Sequence, residues 1–161
     1  MSLHPCPAFE VPEETARIAH AAFPKGNIYI RMRDQLGAFF TDKQFASLFS
    51  KHGQPAFSTW WLALISIMQF VEDLSDRQAT DAVRGRIDWK YLLGLELENS
   101  GFDYSILSEF RQRLVSGGLE QELLDTMLAV LAKHKLLKKR GKQRTDSTHV
   151  VAAVRNLVVV R

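Results

Sequence analysis

The sequence predicts a mainly α-helical fold that gives way to strand-like sequence near its end. Three observations carry this. Between Pro12 and Leu137, apolar residues recur at helical spacing, with Pro, Gly and Ser/Thr/Asp punctuation between the segments. Residues 58–73 are apolar on nearly every side, which marks a central buried helix. From Gln143 the pattern changes to Thr- and Val-rich sequence, the composition of a strand.

The elements follow in order. Residues 1–11 are Pro-rich and read as an extended lead-in. Pro12-Glu13-Glu14 supplies the Pro and acids favoured in a first helical turn, so 12–22 is a helix, broken by Pro24-Lys25-Gly26-Asn27. Ile28, Met32, Leu36 and Phe39 predict a second helix over 28–40. Thr41 with Gln44 forms a capping-box pattern for a short helix to Phe49, and His52-Gly53-Gln54-Pro55 is a loop. Ser58 caps the central helix to Asp73. Ser75 with Gln78 is a second capping box, opening a helix to about Arg84. Asp88 is placed to cap Trp89–Leu93, which Gly94 ends. Helices joined by turns this tight are similar to a helix-turn-helix arrangement.

Glu96 to Phe102 is a polar connection. Asp103 or Ser105 caps a helix with Ile106, Leu107, Phe110 and Leu114 on its apolar face and Arg111 and Arg113 exposed, stopped by Gly117-Gly118. Leu119, Leu123, Leu124, Met127, Leu128 and Leu131 mark a long amphipathic helix reaching Leu137. Trp60, Trp61, Trp89 and Phe110 read as core residues. The expected domains are thus a lead-in at 1–11, one helical domain at 12–137 and a basic linker with strand-like sequence at 138–161.

Charge is segregated. The chain carries 21 basic and 18 acidic side chains, but residues 133–161 hold nine of the basic ones and one acid, Asp146. Residues 1–132 are therefore net −5 and the remainder +8. Lys133, Lys135, Lys138, Lys139, Arg140, Lys142 and Arg144 are more cations than a helix C-terminus requires, and together they form a footprint for a polyanion. Arg77, Arg84, Arg86 and Lys90 are further candidates, although Asp76, Asp81 and Asp88 balance them and a solvated helical face explains them equally well. The single cysteine, Cys6, cannot form an internal disulfide and fits a reducing, cytoplasmic setting. No signal-peptide pattern opens the chain, and the apolar run from Trp60 to Val71 is too short for a membrane span.

Asp146 is the candidate for chemistry. An acid interrupting strand-like sequence is costly without a partner or metal, and beside a phosphate-attracting surface it suits metal-assisted phosphodiester chemistry. A turn or helix cap is the plain alternative. His149 reads as a packing or surface residue, and no base is arranged around Ser147 or Thr148 for nucleophilic work.

Leu74-Ser75-Asp76-Arg77-Gln78-Ala79, Asp88-Trp89-Lys90-Tyr91, Leu107 to Leu114 (LSEFRQRL) and Arg144-Thr145-Asp146-Ser147-Thr148-His149 occur in this order. Together they resemble the N-terminal part of bacterial insertion-sequence transposases of the DDE class, the group with an InsH-type N-terminal domain. The resemblance runs from about Pro12 to Asn156. It implies a helical domain that binds the element's terminal inverted repeats in double-stranded DNA, followed by the first strands of a ribonuclease-H-like domain. Asp146 would be its first catalytic and metal-holding carboxylate, for Mg²⁺ or Mn²⁺. Arg77, Arg84, Arg86, Lys90, Arg111, Lys138, Lys139, Arg140, Lys142 and Arg144 would contact DNA. The resemblance also implies a nucleoid-associated protein that can self-associate. No second Asp or Glu follows Asp146, so the expectation is a truncated transposase that binds no metal and cleaves no DNA by itself. A stand-alone DNA-binding regulator or inhibitor of transposition is the alternative, as is a helical interaction module without nucleic acid, for which the acidic balance of 1–132 argues.

Overall fold

A computed structural model describes residues 10–36, 59–118, 120–122 and 125. Six helices are defined among them: α1 (Glu13–Ala22), α2 (Ile28–Leu36), α3 (Thr59–Glu72), α4 (Asp76–Gly85), α5 (Ile87–Leu93) and α6 (Ser105–Gly117). The described part is mainly helical and contains no strand. The expected helices at 41–49 and 119–137, the basic linker and the strand around Asp146 lie outside the described residues, apart from helical positions 120–122 and 125. The chain divides into two compact units, Met1–Tyr104 and Ser105–Arg161. This boundary falls within the span the sequence reads as one helical domain. Among the described residues, no helix is long and apolar enough to cross a membrane.

In the first unit, local signals start and stop the helices. The Pro12 carbonyl accepts from Ala16 N (2.9 Å), and Glu13 and Glu14 occupy the positive end of α1. Gly26 turns the chain at φ +65°. Asn27 then caps α2, because its Oδ1 accepts from both Tyr29 N and Ile30 N (3.0 Å each). Asp73, left-handed at φ +54°, Leu74 and Ser75 form the turn between α3 and α4. Ser75 and Gln78 make the reciprocal capping box that their spacing predicts: Gln78 N donates to Ser75 Oγ (3.3 Å) and Ser75 N to Gln78 Oε1 (2.8 Å). Gly94, left-handed at φ +65°, ends α5 as predicted.

Two expectations are corrected. Asp88 does not cap α5: it lies inside the first turn, and Arg86 occupies the capping position without a side-chain bond to the backbone. The carboxylate of Asp88 is taken by side chains, as described below. Nor is α3 the most deeply buried helix. Leu62, Ala63, Leu64, Ile65 and Met68 are buried, yet Phe70 and Val71 near its end are 39% and 62% exposed. In α5, every residue except Ile87 is buried. The reason is placement: α5 packs against α1, α2 and α4, whereas α3 packs against α4. Trp89 (0% exposed), Leu92 and Leu93 form the centre, and Tyr91 joins Ala19 and Ile30 in a second cluster edged by Val11, Ala16, Phe23 and Ile87.

In the second unit, Leu107, Phe110 and Leu114 of α6 are buried at the spacing the sequence predicts. Arg111, expected to be exposed, is buried at 3% exposure.

Candidate nucleic-acid interface

A nucleic-acid surface needs cations that solvent can reach. The predicted cations of the first unit sort into two groups by this test. Lys90 is buried, Arg86 is half-buried with its guanidinium taken up by two acids, and Arg77 and Arg84 turn outward.

Arg86 sits at the junction of α4 and α5 and serves packing. Its Nε and Nη2 grip both oxygens of Asp88 (3.1 and 2.8 Å), and Nη1 donates to Glu72 Oε2 on α3 (2.5 Å). Asp88, buried at 3% exposure, also accepts from Asn27 Nδ2 (2.8 Å) and Trp89 N (3.0 Å). Glu72 takes the Tyr29 hydroxyl as well. The guanidinium lies 5.2 Å from the centre of the Trp89 ring and 5.6 Å from that of Tyr29. Hydrogen bonding to Asp88 is the largest influence on Arg86 and raises its pKa further, against the cost of burial. Burial alone would raise Glu72, but the hydrogen bonds from Arg86 and Tyr29 outweigh it and hold the carboxyl below its ordinary range. Tyr29 moves the other way, pushed up by burial and by Glu72. Four elements thus meet on one charge cluster, a single guanidinium held between two carboxylates.

A second polar contact joins α1, α2 and α5. The Tyr91 hydroxyl donates to Asp34 Oδ1 (2.5 Å) and lies 3.1 Å from His20 Nε2. Burial, then Asp34, pushes the Tyr91 hydroxyl up to about 12. Lys90 is 3% exposed, and its ammonium donates to the carbonyls of Asn99 (2.6 Å) and Glu96 (3.4 Å). Burial lowers its pKa.

The outward group lies on α4. Ala79, Thr80, Ala82 and Val83 face the core, while Arg77, Gln78, Asp81 and Arg84 are exposed. Residues 77, 81 and 84 fall at i, i+4 and i+7, so they form one stripe along two turns. Arg84 Nη1 pairs with Asp81 (3.0 Å), and its Nε donates to the Ser100 carbonyl (3.1 Å). The Arg77 guanidinium lies 4.6 Å from the centre of the Tyr104 ring, with Nη2 3.3 Å from the hydroxyl. Nothing in the sequence marks Tyr104 for this role, because a partner 27 residues away leaves no periodic signal.

Residues 17–113 match a family described as a transposase domain (DUF772), and the match covers more than half of the chain. The chain belongs to that family. No curated protein and no solved structure matches it. This transposase-domain match opens in α1 and closes in α6, so it takes in the Arg86 cluster and the exposed stripe of α4. It stops short of Lys138, Lys139, Arg140, Lys142, Arg144 and Asp146, which also lie outside the described residues. Among the described residues of the transposase domain, no group of three or more His, Cys, Asp or Glu is arranged to hold a metal ion.

Proposed function

We propose that this transposase-domain chain binds double-stranded DNA at the ends of an insertion sequence, reading it with the outward stripe of α4. The observation that carries the reading is the pair Arg77 and Arg84. They are exposed and share one face of a helix that follows α3 after three turn residues, a connection of helix-turn-helix length. Such a helix can enter a major groove, where arginine reads guanine edges. The basic run at Lys138–Arg144 adds phosphate contacts that carry affinity without sequence information.

In the same reading the chain is the N-terminal part of a DDE-class, InsH-type transposase, and Asp146 is the first carboxylate of a ribonuclease-H-like domain. Mg²⁺ or Mn²⁺ held there would supply two-ion phosphoryl transfer once further carboxylates complete the set.

The test is binding to a duplex carrying the element's terminal inverted repeat and to a shuffled duplex, over a salt series. Replacing Lys138, Lys139, Arg140 and Lys142 with Gln should weaken both and flatten the salt slope, by about 0.9 for each phosphate no longer neutralised. Arg77→Ala or Arg84→Ala should reduce the preference for the repeat. Equal affinity for both duplexes in the unaltered chain would defeat sequence reading by α4, and no affinity for either would defeat the DNA reading.

A further inference from the structure

The two arginines on the outward face of α4 lean on the same support. Arg84 Nε bonds the Ser100 carbonyl, and Arg77 lies over Tyr104, so the loop 95–104 holds both ends of the stripe. This loop contains no helix or strand. It is held by a turn in which Asn99 N donates to the Glu96 carbonyl (3.1 Å), by Gly101 N on Asn99 Oδ1 (2.9 Å), and by Thr15 Oγ1 on the Leu95 carbonyl (2.9 Å). At Gly101 (φ +74°) the chain passes close to α4, where an added Cβ would lie 3.7 Å from the Thr80 carbonyl and from Val83 Cγ1.

Beneath the turn stands Lys90. Burying an ammonium is expensive, and an apolar side chain of similar volume would fill the space at less cost. What the ammonium adds is a grip on two main-chain carbonyls, Glu96 and Asn99, the second of them next to Ser100 in the chain. The connection runs from the core of α5, through the loop, to the exposed guanidinium of Arg84.

We propose that Lys90 is a positioning residue for the α4 interface: by holding the 95–104 loop from inside, it fixes Arg84 and Arg77 in the orientations that a DNA partner meets. This rests on the DNA-binding reading above. An arginine already braced loses less side-chain freedom on binding, and one fixed fork discriminates between base edges better than a mobile one. Lys90 therefore acts on sequence preference without touching DNA.

The full chain with Lys90→Met tests this, with and without Arg84→Ala. In the single variant, preference for the inverted-repeat duplex over the shuffled one should fall about tenfold, and adding Arg84→Ala should bring no further loss. Losses that multiply would overturn the proposal, because a lysine that merely stabilises the fold has no reason to act through Arg84. A second readout needs no DNA. The Arg84 Nε–H, protected by Ser100 in the unaltered chain, should exchange faster with solvent in Lys90→Met, followed by NMR. Unchanged exchange would also overturn it. Should Lys90→Met fail to fold, Tyr104→Leu replaces it. This surface change should lower preference as much as Arg77→Ala and be non-additive with it, and multiplying losses would again overturn the brace. A chain with no DNA affinity defeats the DNA reading and the role with it, while the exchange rate still reports whether Lys90 holds Arg84.

Discussion

Helices α4 and α5 are neighbours cut from one stretch of alternating Arg, Asp and Lys, yet they use charge in opposite ways. On α4, Arg77, Asp81 and Arg84 face solvent over a core face of Ala79, Thr80, Ala82 and Val83. On α5, Asp88 and Lys90 are buried with Trp89, Leu92 and Leu93. The difference lies in what surrounds each helix. α5 is packed by α1, α2 and α4, so its polar groups must find partners inside: Asp88 takes Arg86 and Asn27, and Lys90 takes two carbonyls. A charge-rich segment is therefore not by itself an interaction surface. In this protein half of it is scaffold.

The comparison can be broken most directly at the centre of α5. Trp89→Ala, which empties a fully buried site, should cost about 3–5 kcal/mol in denaturant unfolding. A loss below about 1 kcal/mol would mean that α5 is not the structural centre. Arg86→Ala should follow at about 2–3 kcal/mol. It strands Glu72 and Asp88, but a third of the Arg86 side chain is exposed and water moderates the loss. This change carries a pH signature. Glu72 has a lowered pKa in the fold, so its contribution is present above the ordinary glutamate value of 4.5 and is lost as pH falls through the lower folded value. Arg86→Ala should shrink that acid-side loss, seen as a flatter stability profile below pH 4.5.

Tyr91→Phe removes the hydroxyl between His20 and Asp34 and should cost about 1 kcal/mol. Its signature lies on the alkaline side. A raised tyrosine pKa contributes stability that is full below the ordinary value of 10.0 and is lost as pH rises through about 12. The phenylalanine variant should lack that part of the decline. The smallest stability effect belongs to α4. Arg84→Ala and Asp81→Asn should each change stability by no more than about 0.5 kcal/mol. Their binding effects should differ in sign: Arg84→Ala weakens DNA affinity, and Asp81→Asn strengthens it a few-fold by releasing Arg84 from its ion pair. A stability loss from Arg84→Ala as large as that from Arg86→Ala would erase the distinction between the two helices.

Helix boundaries are legible in the sequence wherever their cause is local. Ser75 and Gln78 lie within one turn of each other, so their capping box needs nothing beyond four consecutive residues. Gly94 ends α5 because a left-handed residue without a Cβ costs little there. Pro12, Glu13 and Glu14 open α1 on the same local footing. Asp88 shows where that logic stops. It has the spacing of a cap, but it lies inside the first turn, and its carboxylate is shared among Arg86, two residues before it, Asn27, 61 residues before it, and the amide of Trp89. The candidate interface is half legible for the same reason. Arg77 and Arg84 stand out as charges on a helical stripe, whereas their braces at Tyr104 and Ser100 arise from the return of a loop onto α4.

Alone, the sequence settles the helical class, the start and stop of α1 and α4, the end of α5 at Gly94, and the apolar face of α6, because each depends on residues within a turn or two. Burial rank among helices, the inward fate of Lys90 and Arg111, the pairing of Arg86 with Glu72 and Asp88, and the outward fate of Arg77 and Arg84 are set by packing. Whether a charge faces water depends on which elements close over it, and that depends on contacts between residues far apart in the chain.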